Sequence, residues 1–279
     1  MTIDETIAKA REMAALSRSS VPTVSRESEQ LADWLEELKM LRAGNRMGIS
    51  ICILTYNVLF YNKLALRQIR ALTKMVDYEI LVYDNGSNDG SPEWLAQQPD
   101  VRLFRHMGQG QAFRHGAGLD FLVKEAKYPV TCTLCSDAFP TATEWWTPAM
   151  YLDKQTYLCG IERGYGRITK DYVCPSFLFG WTDWLRGHTF QDDWPNTDTG
   201  EWLTKSCEQE GRKIKVWKKN LVTLDGKLSP RDCDYSGLAW HVWCTGRVNT
   251  VPFVRGVEVE PDYHDFMIDH LRKKYNLDF

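Results

Sequence analysis

The stretch YEILVYDNGSNDG, residues 78 to 90, changes character at Asp84, and that change decides the fold. Its first half is nearly all apolar, as in a strand buried on both faces of a parallel sheet. Its second half is a run of Asp, Asn, Gly and Ser, residues that end a strand and build a turn. ISICILTYN, residues 49 to 57, repeats the design upstream, with an apolar run followed by Thr55, Tyr56 and Asn57. Between the two, Leu64, Leu66, Ile69, Leu72 and Met75 recur at roughly helical spacing. Downstream come a helix from Ser91, a strand VRLF (101–104), a helix AFRHGAGLDFLVKEA (112–126) and a strand VTCTL (130–134). Such alternation predicts an α/β domain, with a mostly parallel central sheet flanked by helices and right-handed crossovers. Ligands of such sheets bind beyond the carboxyl ends of the strands. Here those ends carry Thr55-Tyr56-Asn57, Asp84 through Gly90, and Cys135-Ser136-Asp137. A site for a polar ligand is therefore expected along one edge.

Outside this core the pattern is less regular. Thr2-x-x-Glu5 is a capping box that opens a short helix. Leu31, Trp34, Leu35 and Leu38 lie at helical spacing, and Gly44 can end that helix. Residues 1–46 thus read as an N-terminal helical extension docked on the main domain. Beyond Trp145 the sequence predicts a strand at YLCGI (157–161), an aromatic segment SFLFGWTDWL (176–185), a helix near 199–210 and a strand KIKVW (213–217). Nine of the eleven tryptophans fall between Trp145 and Trp243, which sets the second half apart.

With 279 residues, 43% of them hydrophobic and 25% charged, the chain has the composition of a soluble globular protein. A net charge of −3 gives no global basic field and argues against nucleic acid as the default partner. No apolar run approaches the roughly 20 residues of a membrane span. The charged N-terminus lacks the apolar region of a signal peptide. Eight cysteines without regular spacing fit thiols in a reducing compartment, so a cytoplasmic protein is expected.

ISICILTYN, EILVYDNGSNDGS, HMGQGQAFRHGAGL and LCSDAFP, in this order and spacing, resemble the nucleotide-sugar domain of family 2 glycosyltransferases, which have the GT-A fold. The resemblance is strong over roughly 48–145 and weaker over 146–245. It implies that residues 47–145 form the donor-binding half of one domain and 146–279 its acceptor-binding half and C-terminal segment. It also implies a nucleotide-diphosphate sugar donor, UDP- or GDP-linked, and an inverting transfer to a hydroxyl. Thr55, Tyr56 and Asn57 would line the base and ribose pocket, Asp84 would accept a hydrogen bond from the base, and Arg114 could reach the diphosphate. Asp89 more plausibly holds the loop, since Asp caps its own turns.

CSD, residues 135–137, stands where the family has its DxD motif. Asp137 fills the metal-binding position, with Ser136 beside the donor. At the first position Cys135 replaces the acid. A neutral thiol cannot make the ribose or sugar contact expected there, which leaves the donor open, whereas metal binding need not be lost. His241, in GLAWHVWCTGR, is the candidate second metal ligand. Mn2+ or Mg2+ would suit such a site, and the imidazole tilts it toward Mn2+. An inverting transferase needs a carboxylate to take the acceptor's proton. Asp192, Asp193 and Asp198 are candidates, and Asp198, in DTGEWLTKSCEQEG, matches the family best, with a helix-capping role as the competing reading. Trp181 and Trp194 are candidates for an acceptor platform, since aromatic faces stack on sugars or bases.

Other signals carry less. Asp198-Thr199-Gly200 is the aspartic-protease tripeptide, but that chemistry needs a second such aspartate. Cys132 and Cys135, three apart on a strand, point to opposite faces and make no ligand pair. Lysines around Trp217 in GRKIKVWKKN could bind nucleic acid, yet such runs more often guard a strand edge. The acceptor is left open among glycan, metabolite, protein and modified nucleic acid, and two alternatives stand beside the leading reading: a glycosyltransferase acting on modified nucleic-acid bases, and a lapsed nucleotide-sugar binding module. A nucleotidyltransferase would need a Gly-rich signature near its first strand, which TYNVLFYNKLALRQ lacks.

Overall fold

The computed structural model of the chain describes residues 8–9, 11–13, 15, 48–106, 115–164, 168–169, 171–191, 196–224, 227–242, 253–254, 257–258 and 263–279. The chain divides into two compact units, Met1–Met47 and Gly48–Phe279. In the first, the described residues are helical and exposed. The helix expected around Leu31 to Leu38 lies outside the described residues.

The second unit opens with β1 (Gly48–Thr55), α1 (Leu59–Leu72), β2 (Asp77–Asp84), α2 (Ser91–Leu95), β3 (Val101–Arg105), α3 (His115–Glu125) and β4 (Val130–Cys135). It continues with β5 (Ala138–Pro140), β6 (Thr156–Gly164), β7 (Asp171–Trp181), α4 (Thr182–Arg186), α5 (Glu201–Gln209) and β8 (Lys213–Trp217). Last come β9 (Asn220–Leu224), β10 (Lys227–Tyr235), β11 (Ala239–His241), β12 (Phe253–Val254), β13 (Val257–Glu258) and α6 (Tyr263–Tyr275).

Seven strands form the main sheet in the order β3-β2-β1-β4-β7-β6-β8. All eight residues of β1 are buried, as its apolar run requires of a central strand. β1 pairs in parallel with β2 and with β4, in registers that set Thr55 opposite Asp84 and Leu54 opposite Cys135. Those registers bring three polar strand ends to one edge. β7 runs antiparallel to both its neighbours, β4 and β6, whereas β6 and β8 are parallel. β8 is one of the two edge strands, and its Lys213 and Lys215 are exposed, as expected of lysines guarding an open edge.

One face of the sheet is covered by α3 and α5, where Leu54, Leu81, Leu119, Leu122, Phe190 and Leu203 share a core. Two glycines let α3 approach closely. A Cβ on Gly118 would collide with the Leu54 side chain, and one on Gly116 would collide with the backbone at Phe190 and Gln191. The glycines of HGAGL thus serve packing.

A second sheet, β5-β11-β10-β9, has no counterpart in the sequence reading. Its strands are short, and the partner of β5 lies about a hundred residues downstream, beyond the reach of local periodicity. Phe139 and Trp240 of this sheet, with Val242 just after β11, pack on Tyr61, Leu64 and Ala65 of α1 and on Met267 and Leu271 of α6.

The Gly116→Ala variant tests the close approach. The added methyl meets main chain, which cannot rotate away, so the variant is expected to lose about 2 kcal/mol of stability in urea denaturation.

Candidate active site

Asp137 sits in the turn between β4 and β5, directly past the carboxyl edge of the main sheet. β11 pairs with β5 so that His241 lies opposite Ala138, and the Val242 amide donates to the Asp137 carbonyl at 2.9 Å. Alternation along β11 does the rest. Trp240 and Val242 point into the α1/α6 core, so His241 between them points the other way. Its Nε2 lies 3.1 Å from Asp137 Oδ1, and both side chains are buried.

The other imidazole nitrogen, Nδ1, is 2.5 Å from the hydroxyl of Tyr235, a side chain only 2% exposed. Tyr235 faces Ala239 across the β10–β11 hairpin, which makes His241 its diagonal neighbour on the same face. The hairpin turns on Ser236 and Gly237, with φ of 55° and 75°, and the Leu238 amide donates to the Tyr235 carbonyl at 3.0 Å. Two successive residues with positive φ let the chain reverse within the three residues between Tyr235 and Ala239. The Asp234 carboxylate accepts the Gly237 amide and fixes it.

Cys135, Asp137 and His241 each offer one ligand atom, and these atoms lie within 4.8 Å of one another. Two ligands about 2.1 Å from one cation, at right angles, stand about 3 Å apart, so the Asp137–His241 spacing fits a shared divalent cation. The Tyr235 hydroxyl can donate or accept. It can therefore keep its bond to Nδ1 whether Nε2 carries a proton for Asp137 or a lone pair for a metal.

The donor-side residues occupy two levels. Thr55 and Asp84 are 1% and 0% exposed and lie under the edge. Asn62 Nδ2 donates to Thr55 Oγ1 at 2.8 Å, and the Asp84 carboxylate accepts the Ser87 amide and faces Arg105 Nε at 3.7 Å. Their described contacts brace the loops. Above them Tyr56 is 43% exposed and Asn57 half-buried. Asn57 has φ 51°, its amide donates to Ser87 Oγ, and its Oδ1 accepts the Asn88 amide, which laces the two strand-end loops together. Asp89 holds its loop as expected, accepting the amides of Leu59 and Ser91 at the starts of α1 and α2.

Asp198 lies in the segment before α5, half-buried. Its Oδ2 accepts the hydroxyl of Tyr172 at 2.7 Å and its Oδ1 the Thr199 amide at 2.8 Å. It does not cap α5, whose N-cap is Gly200 in the left-handed conformation, with φ 87°. Tyr172 belongs to the part of β7 that runs past the carboxyl end of β4, since pairing with β4 covers Phe177 to Trp181. Asp198 therefore stands at the same edge as Asp137.

Trp181 does not join them. β7 is antiparallel, so Trp181 pairs with Val130 at the start of β4, on the opposite edge, and its indole donates to the Asp153 carbonyl. A substrate at the carboxyl edge is out of its reach. Trp145, Trp146 and Trp240 are core, each under 5% exposed. Arg114, Asp192, Asp193 and Trp194 lie outside the described residues.

The sequence profile of glycosyl transferase family 2 matches residues 50–196, which is more than half of the chain. The chain belongs to this family. Among solved structures, this glycosyltransferase resembles glucosyl-3-phosphoglycerate synthase from Mycobacterium tuberculosis, crystallised with Mn2+, UDP and phosphoglyceric acid. The TM-score is 0.50 at 14% identity, over 66% of this chain and 72% of that one. A mannosyltransferase from Pyrobaculum calidifontis, crystallised with GDP-Man and Mn2+, aligns with a TM-score of 0.49 at 15% identity, over 77% of this chain and 70% of that one. At 14% identity the likeness to the synthase is one of fold, that of a GT-A domain. A search of curated proteins finds no match to the glycosyltransferase. Family membership sets aside the nucleotidyltransferase reading. No helix among the described residues is long and apolar enough to cross a membrane.

Tyr235 and Tyr172 escaped the sequence reading because each acts through a partner distant in the chain or across a turn. DYSGLAWH did carry a usable signal: Ser-Gly marks a turn, and a hairpin there puts Tyr235 beside His241. Among the thiols, Cys52, Cys132, Cys159 and Cys207 are buried, and burial pushes all four up, Cys159 and Cys207 to about 12. Cys135 is only half-buried.

Removing the Tyr235 hydroxyl takes away the group that orients His241. The Tyr235→Phe variant is expected to weaken divalent-cation binding by about tenfold in calorimetric titration, with the fold unchanged by circular dichroism.

Proposed function

We propose that this glycosyltransferase moves a sugar from a UDP- or GDP-sugar to a hydroxyl acceptor, with a divalent cation and with inversion at the anomeric carbon. The observation that carries this reading is the buried Asp137–His241 pair, 3.1 Å apart at the sheet's carboxyl edge, next to the loops that bear Tyr56 and Asn57.

The nucleoside lies along those loops, with the Tyr56 ring as its stacking face and Asn57 holding the loop geometry. Thr55 and Asp84 act from beneath, by fixing the loops on which recognition depends. Asp137 and His241 would hold the divalent cation. When bound, such an ion neutralises the charge that develops on the leaving diphosphate.

Asp198 is the base. Tyr172 and the Thr199 amide occupy one lone pair on each of its oxygens and fix the carboxylate plane. The carboxylate so held accepts the acceptor hydroxyl's proton as that hydroxyl attacks C1. Inversion follows from attack opposite the departing diphosphate, and the same aspartate carries the proton away.

Binding and turnover separate these roles. With Mn2+ and a screen of UDP-, GDP-, dTDP- and CDP-sugars, the wild type is expected to bind one class and hydrolyse it slowly. Asp137→Ala should abolish metal-dependent binding of that donor. Asp198→Asn should keep donor binding and lower turnover by about a thousandfold. Retention of full turnover by Asp198→Asn would remove it as the base, and binding without turnover in the wild type would leave only a binding module. The anomeric configuration of the product, read by proton NMR, tests inversion.

A further inference from the structure

Cys135 is the one side chain of the metal-ligand cluster that the family resemblance does not account for. It ends β4, next to Leu54 of β1, and Asp137 follows two residues later, where the chain turns into β5. Its Sγ lies within 4.8 Å of both an Asp137 carboxylate oxygen and a ring nitrogen of His241, and Asp137 Oδ1 and His241 Nε2 are 3.1 Å apart. Ligands of one four-coordinate cation are separated by about 3.3 to 3.8 Å for bonds of 2.0 to 2.3 Å, so small side-chain rotations close the set. Cys132 cannot take this place, because it is fully buried in mid-strand.

We propose that Cys135 is a third protein ligand, so that the site is a thiolate, carboxylate and imidazole set that favours Zn2+ or Co2+ over Mg2+ and Mn2+. The inference deepens the reading that Asp137 and His241 hold the cation, and rests on it. Its basis is donor chemistry: a thiolate is soft and matches borderline cations, whereas Mg2+ and Mn2+ are matched by the carboxylate that a DxD motif would supply at this position. Coordination sends the thiol proton to solvent. The departure from the motif then changes the ion while keeping the site.

Cobalt reports a thiolate ligand directly. Metal-stripped full-length protein titrated with Co2+ is expected to show visible ligand-field bands together with a near-ultraviolet thiolate-to-cobalt charge-transfer band. Cys135→Ser should lose the ultraviolet band and keep the visible ones, and His241→Ala should lose both. In chelator competition, Cys135→Ser should weaken Zn2+ binding about tenfold or more while changing Mn2+ binding little, and Cys135→Asp should shift the preference toward Mn2+. Circular dichroism confirms that each variant is folded. Visible bands without the ultraviolet band in the wild type, an ultraviolet band that survives Cys135→Ser, or an unchanged ratio of Zn2+ to Mn2+ affinity would each overturn the thiolate ligand, with the Asp137–His241 site intact. Absence of any cobalt or zinc binding would overturn both.

Discussion

The site depends on β1. This strand is buried along its whole length and hydrogen-bonded on both sides in parallel, so it cannot slip by one residue without turning its core residues to the wrong face. Its register fixes Thr55 beside Asp84 and Leu54 beside Cys135. Everything proposed for the donor pocket starts from that alignment. The opposite end of the same strand is secured by a buried carboxylate: Glu79 accepts the Ser50 hydroxyl and the Lys127 amide and is bonded by Arg102. That network ties β1, β2, β3 and the segment before β4 together away from the site.

On this frame the structure builds recognition in layers. Side chains with the strongest polar chemistry, Asp84 and Asp89, are used on the protein itself, where carboxylates satisfy backbone amides at turns and helix starts. An unsatisfied buried amide costs as much as the bond that would satisfy it, so these loops gain rigidity from residues that would otherwise face a ligand. The exposed surface above is left to Tyr56 and Asn57. Preorganised loops of this kind reduce the entropy lost when a flexible nucleotide binds.

The metal-ligand cluster is organised differently. Asp137 belongs to the main sheet's edge and His241 to the second sheet, and only the pairing of β5 with β11 brings them together. The apolar neighbours of His241 aim it, and the Tyr235 hydroxyl orients its ring. A histidine so held can serve as a ligand without reorganising, the condition that supporting groups provide in metal sites. Tyr172 does for Asp198 what Tyr235 does for His241.

Much of the fold was legible in the residues alone. Apolar runs that end in Asn, Asp, Gly and Ser were enough to find the parallel strands and the edge where their polar ends collect, because strand burial and turn chemistry are local properties. The candidates Asp137, Asp198 and His241 also came from sequence. Strand direction did not. An aromatic run reads the same in either orientation, so only the antiparallel pairing of β7 with β4 reveals that Trp181 lies on the far edge and Tyr172 on the near one. Nor could the sequence show that Thr55 and Asp84 are buried, or that Cys135 stands beside Asp137 and His241. Those facts belong to side-chain packing and to contacts about a hundred residues apart, which only the folded chain decides.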